Sequence, residues 1–248
     1  MSTGIDLLYC DNHLLAVDKP AGLPTVPDAS GDASLLDACR TYVKERYGKP
    51  GAVYLGVVHR LDRPVSGVVV FARTSKAAAR LTAAFRDRRA AKTYWGVVAR
   101  DPGAESGALE QWLVKDRDRN RVHVVRAGSA DARHAVTEWR VLERGRPGRL
   151  VELIPRTGRP HQLRVAMASL HAPLLGDLKY GAPTPLADAS IALHACVLVI
   201  DHPTRDERLR LESPPPLTAA FGFDACEVAR GVGRRAVLID RDGRERRA

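Results

Sequence analysis

Short apolar runs separated by turn residues make up most of this chain, and three stretches show the spacing of an amphipathic helix. Apolar side chains recur at helical spacing over 34–47, where Ser34 stands in the N-cap position. Residues 75–89 show the same spacing with many alanines and leucines, and Ser75 is the expected cap. Four apolar runs around these helices predict strands: 5–9, 13–18, 52–58 and 67–73.

The second half of the chain is mostly strand-like. One further helix is predicted over 160–171, with Pro160 in its first turn. Strands that follow one another with few helices between them favour an α+β fold with a mixed, largely antiparallel sheet and flanking helices. Five apolar runs supply these strands: 93–99, 121–125, 135–142, 149–154 and 191–200.

The length of 248 residues fits one large domain, which we place over 1–223. Residues 224–248 form a basic C-terminal extension, and seven of the last twenty residues are arginine. We expect this extension to add a strand and to end in a mobile segment.

Charge and cysteine content narrow the class of protein. The formal net charge is +10, which favours a polyanionic partner such as RNA. The longest uncharged runs, such as 165–176, are much shorter than the ~20 residues of a membrane-spanning helix. Asp6 and Asp11 near the start argue against a secretory leader. The cysteines match no metal or redox spacing, which predicts reduced thiols in the cytoplasm: Cys10, Cys39, Cys196 and Cys226.

Positive charge is concentrated between residues 76 and 100, where seven cationic side chains accompany a single acidic residue, Asp87. On charge alone, a solvated helix face explains this stretch. An edge that contacts RNA phosphates is the sharper interpretation. The cationic residues are Lys76, Arg80, Arg86, Arg88, Arg89, Lys92 and Arg100.

Four segments place polar groups in apolar surroundings: HRLDRPVSG at 59–67, KTYWGVV at 92–98, TGRPHQLRV at 157–165 and GDLKYG at 176–181. Asp62 lies between two arginines, which favour the ionised carboxylate that nucleophilic catalysis needs. An ordinary ion pair at a strand end is the simpler explanation of Asp62 taken alone. Likewise, Tyr94 alone is typical of a core aromatic residue, and Arg164 of a surface side chain that extends along an apolar helix face.

Taken together, the motifs resemble the RluA-type pseudouridine synthases from residue 5 to about 220. Six segments occur in the family's order: DNHLLAVDKPAGLPTVP, HRLDRPVSG, KTYWGVV, RTGRPHQLRV, GDLKYG and LHACVLVIDHP. Each motif is weak alone, whereas six in order at matching spacing are highly specific. The resemblance implies a pseudouridine synthase fold, with 1–223 as the catalytic domain and no accessory RNA-binding domain before it.

The resemblance also implies the roles of individual residues. The family's catalytic aspartate, in HRLD, maps onto Asp62, and its active-site tyrosine, in K-x-Y, maps onto Tyr94. The arginine that pairs with the aspartate, in HQLR, maps onto Arg164, and Arg60 resembles the side chain that helps to hold the target nucleotide out of its stack. The other expected contacts with RNA are His59, Lys92, Arg86, Arg88, Arg89, Arg159, His161 and Gln162.

The implied activity is that of an isomerase that converts uridines in structured ribosomal or transfer RNA to pseudouridine. The glycosidic bond breaks, the base turns over, and it rejoins the ribose through carbon, with no metal or other cofactor. Asp62 acts by attack on the sugar or the base, or by abstracting a ribose proton, and the sequence does not separate these routes. We expect a monomer that binds an RNA stem-loop in the cytoplasm and does not contact membranes.

Two alternatives and one departure from the family pattern accompany this interpretation. A non-catalytic RNA-binding or RNA-folding protein would fit the charge and architecture, although binding alone would not need Asp62, Tyr94 and Arg164. A nucleosidase that releases the base to water is a weaker possibility. Val65, preceded by Pro64, replaces the family's usual threonine and lacks its hydroxyl, which leaves the positioning of the Asp62 loop open.

Overall fold

The computed structural model describes residues 4–145, 148–216 and 233–248. The described chain divides into two compact units. The first contains residues 4–91, 195–214 and 233–248, and the second contains 92–145, 148–194 and 215–216.

Among the described residues, thirteen strands and three α-helices form the α+β fold that the hydrophobic pattern predicts. The strands are β1 Asp6–Cys10, β2 Leu14–Lys19, β3 Gly56–Val57, β4 Ser66–Ala72, β5 Ala91–Val98, β6 Ser106–Asp116, β7 Arg121–Val125, β8 Arg133–Arg144, β9 Arg149–Pro155, β10 Leu193–Asp201, β11 Arg208–Glu212, β12 Arg235–Ile239 and β13 Glu245–Arg247. The helices are α1 Leu35–Arg46, α2 Ser75–Arg86 and α3 Gln162–Ser169, and a 3-10 turn covers Leu178–Tyr180.

Strand pairing is largely antiparallel within each unit. In the first unit the strand order is β1–β2–β4–β10–β11–β12–β13, and β3 also pairs with β4. In the second unit the order is β5–β9–β8–β6–β7, and each neighbouring pair is antiparallel.

Helix caps show where the sequence pattern was accurate and where it was shifted. Ser34 caps α1 as predicted, because its side chain accepts a hydrogen bond from the Asp37 backbone N–H at 3.2 Å. The cap of α2 is Thr74, not Ser75, since Thr74 is extended and accepts from Ala77 N–H at 3.2 Å. The prediction for Pro160 was also wrong: α3 begins at Gln162, after a left-handed His161, so Pro160 precedes the first turn.

Several strands were missed or shortened because burial, not local pattern, decides them. The long strand β6 has few buried positions and therefore shows no apolar alternation in the sequence. By contrast, the apolar run 52–58 is a strand only at Gly56–Val57, where two residues pair with β4. The short strand β11 alternates arginine and leucine, and its leucines are buried in the core.

The C-terminal residues complete the first unit. Ala236 and Leu238 of β12 are buried in one hydrophobic cluster with Leu209 and Leu211 of β11. Beside this cluster, the buried carboxylate of Glu212 binds Arg210 and Arg235, the latter at 2.7 Å. The arginines of this tail therefore hold the strands to the unit. The boundary expected at 223/224 and the thiol of Cys226 lie outside the described residues.

No helix within the described ranges is both long and apolar enough to cross a membrane. In the same part of the chain, Cys10 and Cys39 form no disulfide.

We predict that the C-terminal strands contribute substantially to stability. Replacing Leu238 by alanine removes a side chain that is 1% exposed and leaves a cavity in the core of the first unit. The free energy of unfolding should fall by about 2–5 kcal/mol, measured by urea denaturation. The control Arg247→Ala, on the exposed strand β13, should leave the unfolding midpoint unchanged. An unchanged midpoint for Leu238→Ala would show that β12 does not belong to the cooperative core.

Candidate active site

Asp62 lies in the loop between β3 and β4 and is half-buried. Its neighbour Leu61 is fixed by the buried hydroxyl of Thr25, which donates to the Leu61 carbonyl at 2.8 Å and accepts from the Leu61 N–H at 3.2 Å. Both backbone polar groups of the residue before Asp62 are thus bound by one side chain.

The residue after Asp62 is fixed by the same segment of chain. The carbonyl of Arg63 accepts from the Gly22 N–H at 2.9 Å and from the Lys19 ammonium at 3.1 Å. The Arg63 side chain turns to the 22–32 segment, where it donates to the Gly22 carbonyl at 2.9 Å and pairs with Asp28 and Asp32. The Arg63 guanidinium therefore binds the 22–32 segment, although Arg63 is the sequence neighbour of Asp62.

Lys19 links the Asp62 loop to the residues that follow β2. Its side chain is fully buried, and Nζ donates to the carbonyls of Pro20, Leu23 and Arg63 at 2.9, 2.7 and 3.1 Å. Burial lowers the pKa of Lys19 to about 7, and the charge of Asp62 opposes that shift. Three carbonyl acceptors match the three N–H groups of the charged ammonium.

A tight turn follows Asp62. The Asp62 carbonyl accepts from the Val65 N–H at 3.0 Å, and the Val65 side chain is buried, so the apolar residue at this position fits its surroundings. Gly67 has φ of +117°, and a Cβ there would lie 2.4 Å from the Ala195 carbonyl oxygen. Only glycine fits this close approach.

The two residues before Leu61 differ in exposure. His59 is half-buried, its Nε2 accepts from the Val70 N–H at 3.0 Å, and its ring stacks on Phe85 with centroids 4.7 Å apart. These contacts give His59 a structural role in the first unit. Arg60 is exposed to solvent, and its contact with RNA stays a prediction.

The second unit carries Tyr94 and Lys92 on β5. Tyr94 is half-buried and lies opposite Leu153 of β9. Lys92 is also half-buried, and its Nζ donates to the Thr157 carbonyl at 3.4 Å. Burial lowers the pKa of Lys92.

Arg164 is buried on α3, and Asp177 binds its guanidinium through two parallel hydrogen bonds. Nε donates to Oδ2 at 2.8 Å and the second nitrogen donates to Oδ1 at 2.7 Å. The two side chains are 7% and 1% exposed. The guanidinium also lies over the ring of Tyr180, 5.1 Å from its centroid.

Gln162 fixes the loop that leads into α3. Its amide nitrogen donates to the Val136 carbonyl and the Thr137 hydroxyl at 2.9 and 3.0 Å. The amide oxygen accepts from the Thr157 hydroxyl at 2.7 Å and from the Arg159 N–H at 3.0 Å. These four contacts use both N–H groups and both acceptor sites of the buried amide. They support a structural role for Gln162.

His161 and Tyr180 form a buried pair beside Arg164. The Tyr180 oxygen accepts from the Val122 N–H at 2.8 Å, and it lies 2.7 Å from His161 Nδ1. Burial raises the pKa of Tyr180, so the hydroxyl keeps its proton. The Tyr180 hydroxyl and His161 Nδ1 therefore share one hydrogen bond, with the Val122 N–H as a second donor to the oxygen.

The predicted RNA contacts near α2 differ in their surroundings. Arg86 and Arg89 form ion pairs with Asp87 and Asp201 at 2.8 and 2.7 Å. Arg88 is exposed, has φ of +60°, and makes no ion pair with any described residue. On the second unit, Arg159 is half-buried and its Nε donates to the His134 carbonyl at 2.8 Å.

Sequence reasoning missed four residues that support the predicted ones: Lys19, Thr25, Asp177 and Tyr180. Each stands within a motif that carried the family resemblance, DKPAGLPTVP or GDLKYG. A lysine at the end of an apolar strand and an aspartate between glycine and leucine were the available signals. Each of the four has a partner that lies far away along the chain, from 13 positions for Asp177 and Arg164 to 58 for Tyr180 and Val122, so local pattern did not reveal these contacts.

Comparison with known proteins gives a family match over more than half of the chain. Residues 13–169 match the family model described as RNA pseudouridylate synthase. The Pseudomonas aeruginosa protein named ribosomal large subunit pseudouridine synthase D is 34% identical over 227 residues, which cover 86% of this chain and 68% of that protein. The chain covers 66% of the protein of the same name from Xylella fastidiosa, at 37% identity.

Two further comparisons cover most of both chains. The Haemophilus influenzae protein named dual-specificity RNA pseudouridine synthase RluA is 35% identical over 212 residues, 83% of this chain and 90% of that protein. The solved structure of human RNA pseudouridylate synthase domain containing 4 superposes with a TM-score of 0.73 at 28% identity, covering 90% of this chain and 93% of that one.

We predict that Thr25 fixes the backbone beside Asp62. Thr25→Val keeps the shape of the side chain but leaves the buried N–H and carbonyl of Leu61 without this partner. The free energy of unfolding should fall by about 1–3 kcal/mol, measured by urea denaturation, and the rate of RNA modification should fall with it. The exposed Thr184→Val is the control and should change neither quantity. Full activity and stability of Thr25→Val would contradict this role.

Proposed function

The chain belongs to the family of RNA pseudouridylate synthases, which are isomerases, and we propose that it modifies specific uridines in structured ribosomal or transfer RNA. One observation carries the proposal: the family match over 13–169 contains Asp62, Tyr94 and Arg164, each within its motif. The names of its relatives point to the same substrates, since one is a ribosomal large subunit enzyme and another has dual specificity.

In this proposal Asp62 is the catalytic carboxylate. It acts on the uridine by attack or by removal of a ribose proton, and either route needs the ionised form. The fixed backbone on both sides of Asp62 supports the role, because a reacting group must be held close to its productive geometry. The rearrangement breaks and forms bonds within one nucleotide, so the proposal includes no cofactor.

Arg164 and Tyr94 assist Asp62 in the proposed reaction. Arg164 supplies the cation that keeps the carboxylate ionised and oriented. Tyr94 stacks on the uracil and assists the proton transfer at carbon 5. The half-buried position of Tyr94 and the fixed guanidinium of Arg164 support these assignments.

Binding of RNA in this proposal combines base flipping with contacts to phosphate. The target uridine leaves its stack at a cost of a few kcal/mol, which is lowest in loops, and the exposed Arg60 helps to hold it out. His59, Lys92, Arg159, His161 and Gln162 shape the surrounding surface through the contacts described above. Because ribosomal and transfer RNA occur in the cytoplasm, we place the protein there, and we expect it to act as a monomer.

The charge of Asp62 should be indispensable for turnover. Asp62→Asn preserves the size of the side chain and removes the charge, so RNA binding should persist while pseudouridine formation falls below detection. Product is measured by tritium release from 5-tritiated uridine in RNA, and binding by fluorescence anisotropy. Multiple turnover by Asp62→Asn would refute the catalytic assignment. Binding without any turnover by the unaltered protein would favour the non-catalytic RNA-binding alternative.

Arg88 should contact phosphate more strongly than the ion-paired arginines beside it. Arg88→Asn removes the charge and keeps a residue that tolerates positive φ. With a stem-loop of about twenty nucleotides, the slope of log affinity against log salt should become shallower by roughly 0.7–0.9, one phosphate contact. The control Arg40→Gln, on α1, should leave the slope unchanged. An unchanged slope for Arg88→Asn would place the RNA on another surface, and activity only on large RNA would show that recognition is not local.

A further inference from the structure

The GDLKYG turn at 176–181 contains a carboxylate that the proposed reaction does not yet use. Asp177 is 1% exposed and lies between Gly176 and the 3-10 turn Leu178–Tyr180. Burial of a carboxylate is costly unless a cation and hydrogen bonds accompany it, and here both come from Arg164. The motif therefore places a buried carboxylate, that of Asp177, against the guanidinium of Arg164.

We propose that Asp177 is a positioning residue for RNA modification, which acts by fixing the guanidinium of Arg164. The inference rests on the proposed function, in which Arg164 keeps Asp62 ionised. A bidentate pair fixes both the position and the plane of a guanidinium, whereas a single hydrogen bond leaves it free to rotate.

The backbone around Asp177 is rigid enough for this role. Its N–H donates to the Leu174 carbonyl at 3.1 Å, and its own carbonyl accepts from the N–H groups of Tyr180 and Ala182 at 3.0 Å each. Gly176 has φ of +80°, and a Cβ there would lie 2.5 Å from the Ser190 carbonyl oxygen. The carboxylate is therefore presented from a turn whose backbone is held on both sides.

The aromatic ring of Tyr180 also contacts the Arg164 guanidinium. Its ring centroid is 5.1 Å from the Arg164 Cζ and 5.4 Å from the Cζ of Arg121, which belongs to β7. The Tyr180 hydroxyl is bound to His161 and to the Val122 N–H. Arg121, His161 and Tyr180 are charged or titratable groups beside the pair, and one motif supplies both the carboxylate and the aromatic ring.

The pair also changes how substitutions of Arg164 are interpreted. Arg164→Met would leave Asp177 buried without its cation, so that variant loses stability for a reason unrelated to catalysis. Replacing Asp177 while keeping Arg164 is the cleaner experiment, because the group that acts in the reaction remains.

The decisive measurement is the pH profile of Asp177→Asn. If Asp177 positions Arg164, the asparagine variant leaves the guanidinium less well placed to stabilise the negative charge of Asp62. The turnover number should fall about tenfold or more, and its acid limb should move to higher pH by about half a unit or more. Affinity for a stem-loop RNA should remain within about twofold of the unaltered protein.

A different result would overturn the proposal. If Asp177 only neutralises charge, its removal leaves a stronger positive field and moves the acid limb to lower pH. A limb that stays in place or moves down, or an unchanged turnover number, contradicts positioning. If the unaltered protein forms pseudouridine and Asp62→Asn does not, the proposed function stands even when the Asp177 proposal fails. The failure of one proposal can therefore be told apart from the failure of the other.

Two additional variants make the test complete. Asp177→Glu keeps the buried charge but adds a methylene that the rigid turn does not accommodate in the same geometry, so turnover should fall about fivefold or more while the fold persists. This variant decides the matter if Asp177→Asn does not fold, and full turnover by Asp177→Glu would overturn the proposal. Glu138→Gln is the matched control, because Glu138 binds the exposed Arg156 through two bonds of 2.7 Å, and its loss should change neither rate nor pH profile.

Discussion

A buried lysine holds together the two loops on which the proposed chemistry depends. Lys19 ends β2 inside the first unit, and its ammonium binds three backbone carbonyls, one of which belongs to Arg63 beside Asp62. Together with Thr25, it replaces water around a loop that would otherwise carry unsatisfied polar groups. The backbone on both sides of the half-buried Asp62 is therefore fixed by hydrogen bonds.

In the second unit, buried residues likewise fix a charged side chain, the cation of Arg164. Arg164 is buried on α3, and Asp177 and Tyr180 define its position from a turn more than ten residues further along the chain. Gln162 supports the start of the helix through hydrogen bonds to two segments, β8 and the loop that precedes α3. In both units, buried and hydrogen-bonded side chains support the charged group or its backbone, Lys19 and Thr25 in the first and Asp177 and Tyr180 in the second, which limits the reorganisation that a reaction would need.

Not all of the 39 lysine and arginine side chains are available to RNA. Arg63, Arg89, Arg164 and Arg235 each form ion pairs that hold loops, strands or helices in place. Arg88 differs because it is exposed at the end of α2 and makes no ion pair within the described chain. Counting basic residues in the 76–100 stretch thus overstates its capacity to bind phosphate, and only the positions of the acidic partners show by how much.

The sequence determined the α+β class, the positions of the three helices within a few residues, and the motifs that identify the family. Those features depend on local spacing, because apolar periodicity and short motifs are written into neighbouring residues. The tertiary structure decided which polar residues support the site: Thr25 binds Leu61 and Asp177 binds Arg164 across intervals that no local pattern encodes. It also decided the strand β6, which has few buried positions and no apolar alternation, and the ion pair of Arg235 in the C-terminal extension with the buried Glu212. In each case the physical reason is the same, since burial and hydrogen-bond satisfaction are properties of the folded surroundings and not of the residue alone.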